Sequence, residues 1–229
     1  MYYFDPTYIL VLIGAVLSMI ASWNVNSNFR KYSQVFNRNG YTAEDVAARI
    51  LSDAGISNVQ ISHIRGNLTD HYAPTEKVLR LSDSVYGSSS VAAIGVAAHE
   101  CGHAIQHKVG YRPLALRSAA VPIANIGSRL SWPVLLLGLI LGSTGLARAG
   151  VILFCFVVFF QLITLPVEFD ASNRALKILQ SDGILYEDEM KGASAVLHAA
   201  ALTYVAALAS TVLQLLRLIL LVQRSDRNN

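Results

Sequence analysis

Charge is scarce in this chain. Of 229 residues, 14% are Asp, Glu, Lys or Arg, where an ordinary soluble domain carries about 25%. The net charge is only +3. With no basic run beside it, that value excludes nucleic acid as a partner. Cysteine is nearly absent. Cys101 and Cys155 lie far apart in the chain, in two separate expected helices, so a disulfide framework is excluded and the redox compartment stays unread. There is no internal repeat and no low-complexity segment.

What replaces charge is apolar sequence, 53% of the chain, gathered into blocks. A bilayer span needs about 20 residues. Tyr8 to Trp23 is wholly uncharged and extends back through Phe4 to Pro6, with Tyr2, Tyr3, Tyr8 and Trp23 at its ends as an aromatic belt. It lacks a basic leading region and a small-residue cleavage site, so it reads as an uncleaved anchor. Ser118 to Ala147 is uncharged apart from Arg129, and Ala149 to Val167 follows after Arg148. Pro122 and Pro133 predict a kink or a broken start in the second span. Ser143 to Gly150 predicts a tight turn before the third. The last block, Gly192 to Gln223, has His198 and Arg217 as its only ionisable residues, and tilt accommodates its length.

Four spans follow, and they put the two polar stretches, Asn24 to Arg117 and Glu168 to Lys191, on one side of the bilayer. The expected organisation is a first membrane helix over 1–23, a domain over 24–117, a two-helix hairpin over 118–167, a polar segment over 168–191, and a fourth helix with a short tail over 192–229. Arg30, Lys31, Arg112 and Arg117 flank the spans on the side of the polar stretches, which places that side in the cytoplasm by the positive-inside rule. Arg224 and Arg227, beyond the last block, argue the other way.

The first polar stretch reads as a small α+β domain. Thr42 is a helix cap with Glu44 and Asp45 in the first turn. Val46, Ile50 and Leu51 form an apolar stripe, and Gly55 closes the helix. Asn58 to Ile64 and Lys77 to Ser82 read as strands, with Gly66-Asn67 as a turn. Ser88, Ser89 and Ser90 offer cap hydroxyls to an apolar helix starting at Val91. About 90 residues make a marginal core on their own.

That last helix holds the most informative residues, His99-Glu100-Cys101-Gly102-His103. Positions i and i+4 share one helix face, so two imidazoles at this spacing grip one zinc ion. Glu100 supplies a carboxylate to take the proton of attacking water. Gly102 weakens the helix by about 1 kcal/mol relative to Ala, which makes sense if another backbone or a substrate approaches closely. Cys101 reads as a small packing residue.

A catalytic zinc needs a third protein ligand. His107 is excluded, because eight residues of helix separate it from His99 by about 12 Å. Glu168, at the end of the third block, is the better candidate. Asp170 is its rival, about 200° away around a helix. Whichever does not bind can orient a histidine by a hydrogen bond. His71 and Tyr72 are candidates for stabilising a developing oxyanion, with Tyr111 and Arg174 as further ones. His198 reads as an interface residue.

At these residues the chain resembles the YugP-like family of bacterial membrane zinc metallopeptidases. The likeness runs through Asp70-His71-Tyr72, Val78 to Ser82, Ala97 to Gln106 and Pro166 to Ser172. More distantly the chain is similar to the HtpX and Ste24 membrane proteases, which pair HExxH with a downstream Glu after membrane helices. That supports Glu168. They also have an Asp four residues beyond that Glu; here the position is Ser172, so their outer carboxylate is missing or replaced by Asp170. The resemblance implies a mostly α membrane protein of about four transmembrane helices with a small α+β zincin-like catalytic domain.

It also implies a zinc-dependent metalloendopeptidase, a hydrolase that cuts peptide bonds with a zinc-activated water. The partners expected are the lipid bilayer and a protein or peptide substrate. A site-2 protease is excluded, since polar sequence precedes the motif helix and no LDG follows. A transporter is disfavoured by span interiors almost free of ionisable residues. The alternative is a zinc-binding membrane scaffold or regulator that does not cleave, which would have no use for Glu100.

Overall fold

The structure is a computed structural model that describes residues 5–228, with side chains through 226. The aromatic-belt residues Tyr2 and Tyr3, and Phe4 of the first block, lie outside the described residues, as does the side chain of Arg227. The elements are α1 (Tyr8–Tyr32), α2 (Ala43–Asp53), β1 (Gln60–Ile64), β2 (His71–Ala73), β3 (Val78–Ser82), α3 (Val91–Lys108), α4 (Arg112–Ile140), α5 (Thr144–Ser181) and α6 (Glu187–Asn228). Four of them, α1, α4, α5 and α6, are long and apolar enough to cross a membrane.

The chain divides into two compact units. One gathers residues 5–22, 116–165 and 203–228. Here two sequence expectations are corrected. Of the kink or broken start expected at Pro122 and Pro133, the break is absent, since α4 runs through both. In an apolar setting neighbouring helices and local adjustments satisfy the backbone groups a proline frees. The turn is also shorter than Ser143 to Gly150, because α5 already begins at Thr144. Gly142, at φ +64°, closes α4. The glycines around it serve packing: a Cβ on Gly150 would lie 2.6 Å from the Leu135 side chain, and one on Gly138 would collide with Ala147. Small residues let apolar helices approach closely, and that use looks like a turn signal in sequence.

The second unit holds residues 23–115 and 166–202. Thr42 caps α2 in a reciprocal capping box with Asp45. Val46, Ala47, Ile50 and Leu51 are buried along one face. The sheet has the order β1-β3-β2, β3 being parallel to β1 and antiparallel to β2. Leu79 and Leu81 of β3 are fully buried, as are Ile94, Ala97 and Ala98 of α3. Each such Leu or Ile contributes about 1.5–3 kcal/mol. Ser90 caps α3 by accepting the Ala93 amide at 3.2 Å.

Two features of this unit were not expected. Residues 71–73 form an edge strand, paired as His71 with Arg80, Tyr72 with Leu79 and Ala73 with Val78. And the helix of the third apolar block does not stop near Glu168 but continues through the polar segment to Ser181. Ala171, Ala175 and Leu179 are fully buried at four-residue spacing along it, so its polar-looking sequence is one apolar stripe with a wet opposite face.

Candidate metal centre

His99 and His103 lie one turn apart on α3 and turn their Nε2 atoms to the same oxygen. Glu168 Oε2 is 3.3 Å from His99 Nε2 and 3.6 Å from His103 Nε2. The two rings stand nearly perpendicular, 84° apart, with centroids 4.7 Å from one another. The Glu168 carboxylate is 2% exposed. Among the described residues these three side chains form a group whose ligand atoms all lie within 4.8 Å of each other.

Two observations show that this set fits zinc. Ligands about 2.0–2.2 Å from a tetrahedral ion are about 3.4 Å from one another, which is the spacing of the two nitrogens from the carboxylate oxygen. The second is how the far ring nitrogens are held. Gln106 is fully buried, and its amide nitrogen donates to Val167 O and Asp170 Oδ2, both at 2.8 Å. Both are acceptors, so the amide oxygen faces His103 Nδ1, at 3.0 Å, and accepts its proton. The lone pair of Nε2 is then available to a metal. On the other ring, Ser172 Oγ sits 3.1 Å from His99 Nδ1, in hydrogen-bond contact with its far nitrogen.

Burial pushes the His103 imidazole down, but the Glu168 carboxylate, Glu100 and Gln106 outweigh it and its pKa is raised. Without an ion, both of its nitrogens have acceptors, which favours the charged ring.

The other sequence candidates separate around this group. Asp170 lies outside it. Its carboxylate pairs with Arg174 Nε at 2.6 Å and accepts from Gln106, so it acts on His103 through an amide. The Arg174 guanidinium in turn lies over the Tyr111 ring, 5.7 Å from its centroid, and the Tyr111 hydroxyl donates to Pro166 O at 3.5 Å. Glu100 is on α3 between the histidines and is 8% exposed; its Oε2 accepts the backbone N–H of Tyr72 at 2.9 Å.

The rings of His71 and Tyr72 have other partners. His71 Nδ1 donates to Thr69 O at 2.9 Å, and its Nε2 lies 3.4 Å from an Arg80 nitrogen. The Tyr72 hydroxyl is 2.9 Å from His107 Nδ1. His198 is held by Ser194, exposed on α6. Cys101 is wholly buried, its Sγ 3.7 Å from Ala47 O, and burial, with Glu100 beside it, pushes its thiol far up. It packs α3 on α2 and is no ligand.

Sequence reasoning missed Gln106. Its one signal was position, three residues after His103 on the same helix.

Residues 7–223 match the model of a family described as "Putative neutral zinc metallopeptidase". The "Putative membrane protease YugP" of Bacillus subtilis (strain 168) is 47% identical over 215 residues, which is 93% of this chain and 96% of the relative. No solved structure matches the chain.

Proposed function

The chain belongs to this zinc metallopeptidase family, and from that premise we propose that it is a membrane-embedded zinc endopeptidase. His99, His103 and Glu168 hold the ion. When bound, zinc supplies a Lewis acid that polarises a peptide carbonyl and makes water acidic enough to attack it. Glu100 accepts the proton released and delivers it to the leaving nitrogen. The Tyr72 amide holds one oxygen of Glu100 and leaves the other for that transfer. Gln106, with Asp170 behind it, keeps the His103 proton on Nδ1, and Ser172 holds the Nδ1 side of His99.

The observation that carries this reading is the convergence of two Nε2 atoms and one buried carboxylate oxygen beside a carboxylate that is not part of the group. Its test is Glu100→Gln in the purified full chain. Zinc content stays at the wild-type level, and cleavage of an unfolded protein substrate falls by at least about 100-fold, the scale of a lost general base. Undiminished cleavage by this variant rejects the mechanism.

The catalytic unit faces the cytoplasm in this reading, because Arg30, Lys31, Arg112 and Arg117 flank the spans on its side. A tag inserted after Gly87, in the exposed turn before α3, is then protected from protease added to intact cells. Digestion of the tag reverses the orientation.

A further inference from the structure

A cavity of about 320 Å³ opens beside α3, one helical turn beyond His103. Every charged residue that lines it is basic. Its lining includes Lys77, Lys108 and His107, with Tyr72, Ser57 and Asn58 as polar neighbours, and among the described residues no Asp or Glu lines it. The Tyr72 hydroxyl is hydrogen-bonded to His107 Nδ1 at 2.9 Å, which holds the imidazole at the cavity. The Lys108 ammonium bonds Ala54 O and, at 3.1 Å, Gly55 O, which fixes its charge at the rim.

Lys77 is the telling residue. It takes a left-handed backbone at φ +53°, a conformation that glycine or asparagine adopts with less strain. The turn into β3 therefore does not ask for lysine. Its exposed side chain is free for another use.

Tyr72 links the cavity to Glu100. The Tyr72 backbone holds Glu100 and its side chain lines the cavity. His107 is four residues past His103, so the cavity lies about 6 Å further along α3. An extended chain advances about 3.3 Å per residue. The distance corresponds to about two residues of a bound peptide.

We propose that this basic cavity binds a carboxylate of the substrate, about two residues from the bond that is cut, and so gives the enzyme a preference for acidic sequence. The proposal rests on the endopeptidase reading. The carboxylate has two possible sources, an Asp or Glu side chain or the free end of a peptide.

The experiment measures binding, so that it does not depend on turnover. The full-length Glu100→Gln protein, zinc-loaded in nanodiscs of neutral lipid, is titrated into fluorescent peptides and followed by anisotropy. One peptide has a central Glu and an amidated end, one has Gln instead, and one has Gln with a free C-terminal carboxylate. At least one anionic peptide binds about tenfold tighter than the neutral one, as one charge-assisted hydrogen bond provides, and which of the two does so identifies the source.

Lys77→Glu abolishes the preference or reverses it toward a Lys peptide. Lys77→Gly, which suits the turn, weakens the preference and retains bound zinc, which separates lost charge from lost fold. Equal binding of all three peptides, or a preference unchanged in both variants, overturns the proposal. Failure of wild-type protein to cleave any peptide would instead reject the endopeptidase reading and leave the binding result to stand by itself.

Discussion

Gly102 faces the backbone of Ala171 so closely that a Cβ at position 102 would lie 2.6 Å from the Ala171 carbonyl oxygen. The glycine inside HExxH is therefore the point at which α3 and α5 touch, and it brings two imidazoles and a carboxylate from distant parts of the chain within reach of one ion. The close approach that a glycine in a helix suggested is an approach of backbone. Gly102→Ala gains about 1 kcal/mol of helix propensity, but the Ala171 carbonyl cannot yield as a flexible side chain would. The helices must separate, at a cost of about 1–3 kcal/mol. The expected outcome is a lower melting temperature together with a loss of zinc affinity. A variant that melts higher and keeps its zinc would show that α5 shifts freely.

Ligands and their supports are told apart by metal content. Glu168→Ala removes one of three protein donors and leaves the purified protein essentially without zinc. Asp170→Asn and Gln106→Leu keep the three donors and still bind zinc, but about 10–100-fold more weakly, the usual effect of losing an orienting partner. Gln106→Leu also removes the acceptor on His103 Nδ1, at a cost of about 1–3 kcal/mol for a buried group left unpaired, while Asp170 keeps its Arg174 partner. Zinc titration by competition with a chelator, and unfolding in parallel, measure both effects. Full loss of zinc in Asp170→Asn would make Asp170 the ligand in place of Glu168.

Acid acts in opposite directions on the metal-free and zinc-bound forms. Without metal the His103 pKa is raised above its ordinary 6.5. A raised folded-state pKa gives stability that is fully present below the unfolded value and is lost as pH rises through the folded one. The contribution of His103 to the metal-free protein therefore grows as pH falls from 8 to 6. Zinc takes the place of the Nε2 proton, so apparent zinc affinity weakens over the same fall, beginning above pH 6.5. Melting curves of both forms at pH 6 and 8, each compared with His103→Gln, isolate the site. A metal-free protein in which His103 stabilises more at pH 8 than at pH 6 contradicts this account.

Much of the fold was legible because it rests on local rules. The Thr42 cap, the apolar stripe of α2, β1 and β3, and four apolar helices all follow from short-range patterns. The errors lay where packing overrides a local signal. Gly138 and Gly150 belong to helices that touch, although glycine near Ser143 looks like a turn. Pro122 and Pro133 stay helical in apolar surroundings. Edge strand β2, three residues long, has too few residues to show an alternation.

By itself the sequence determined the chemistry on offer: two imidazoles on one face of a helix, a carboxylate beside them, and so few charges elsewhere that long apolar helices had to follow. Helical spacing and burial are properties of neighbouring residues, and they can be read from a string. The choice between Glu168 and Asp170 could not. It depends on the rotation of α5 against α3, set by the Gly102–Ala171 contact and by a buried glutamine that ties up the rival aspartate. Those are contacts across more than sixty positions of chain, and only the packed structure decides which carboxylate faces the histidines.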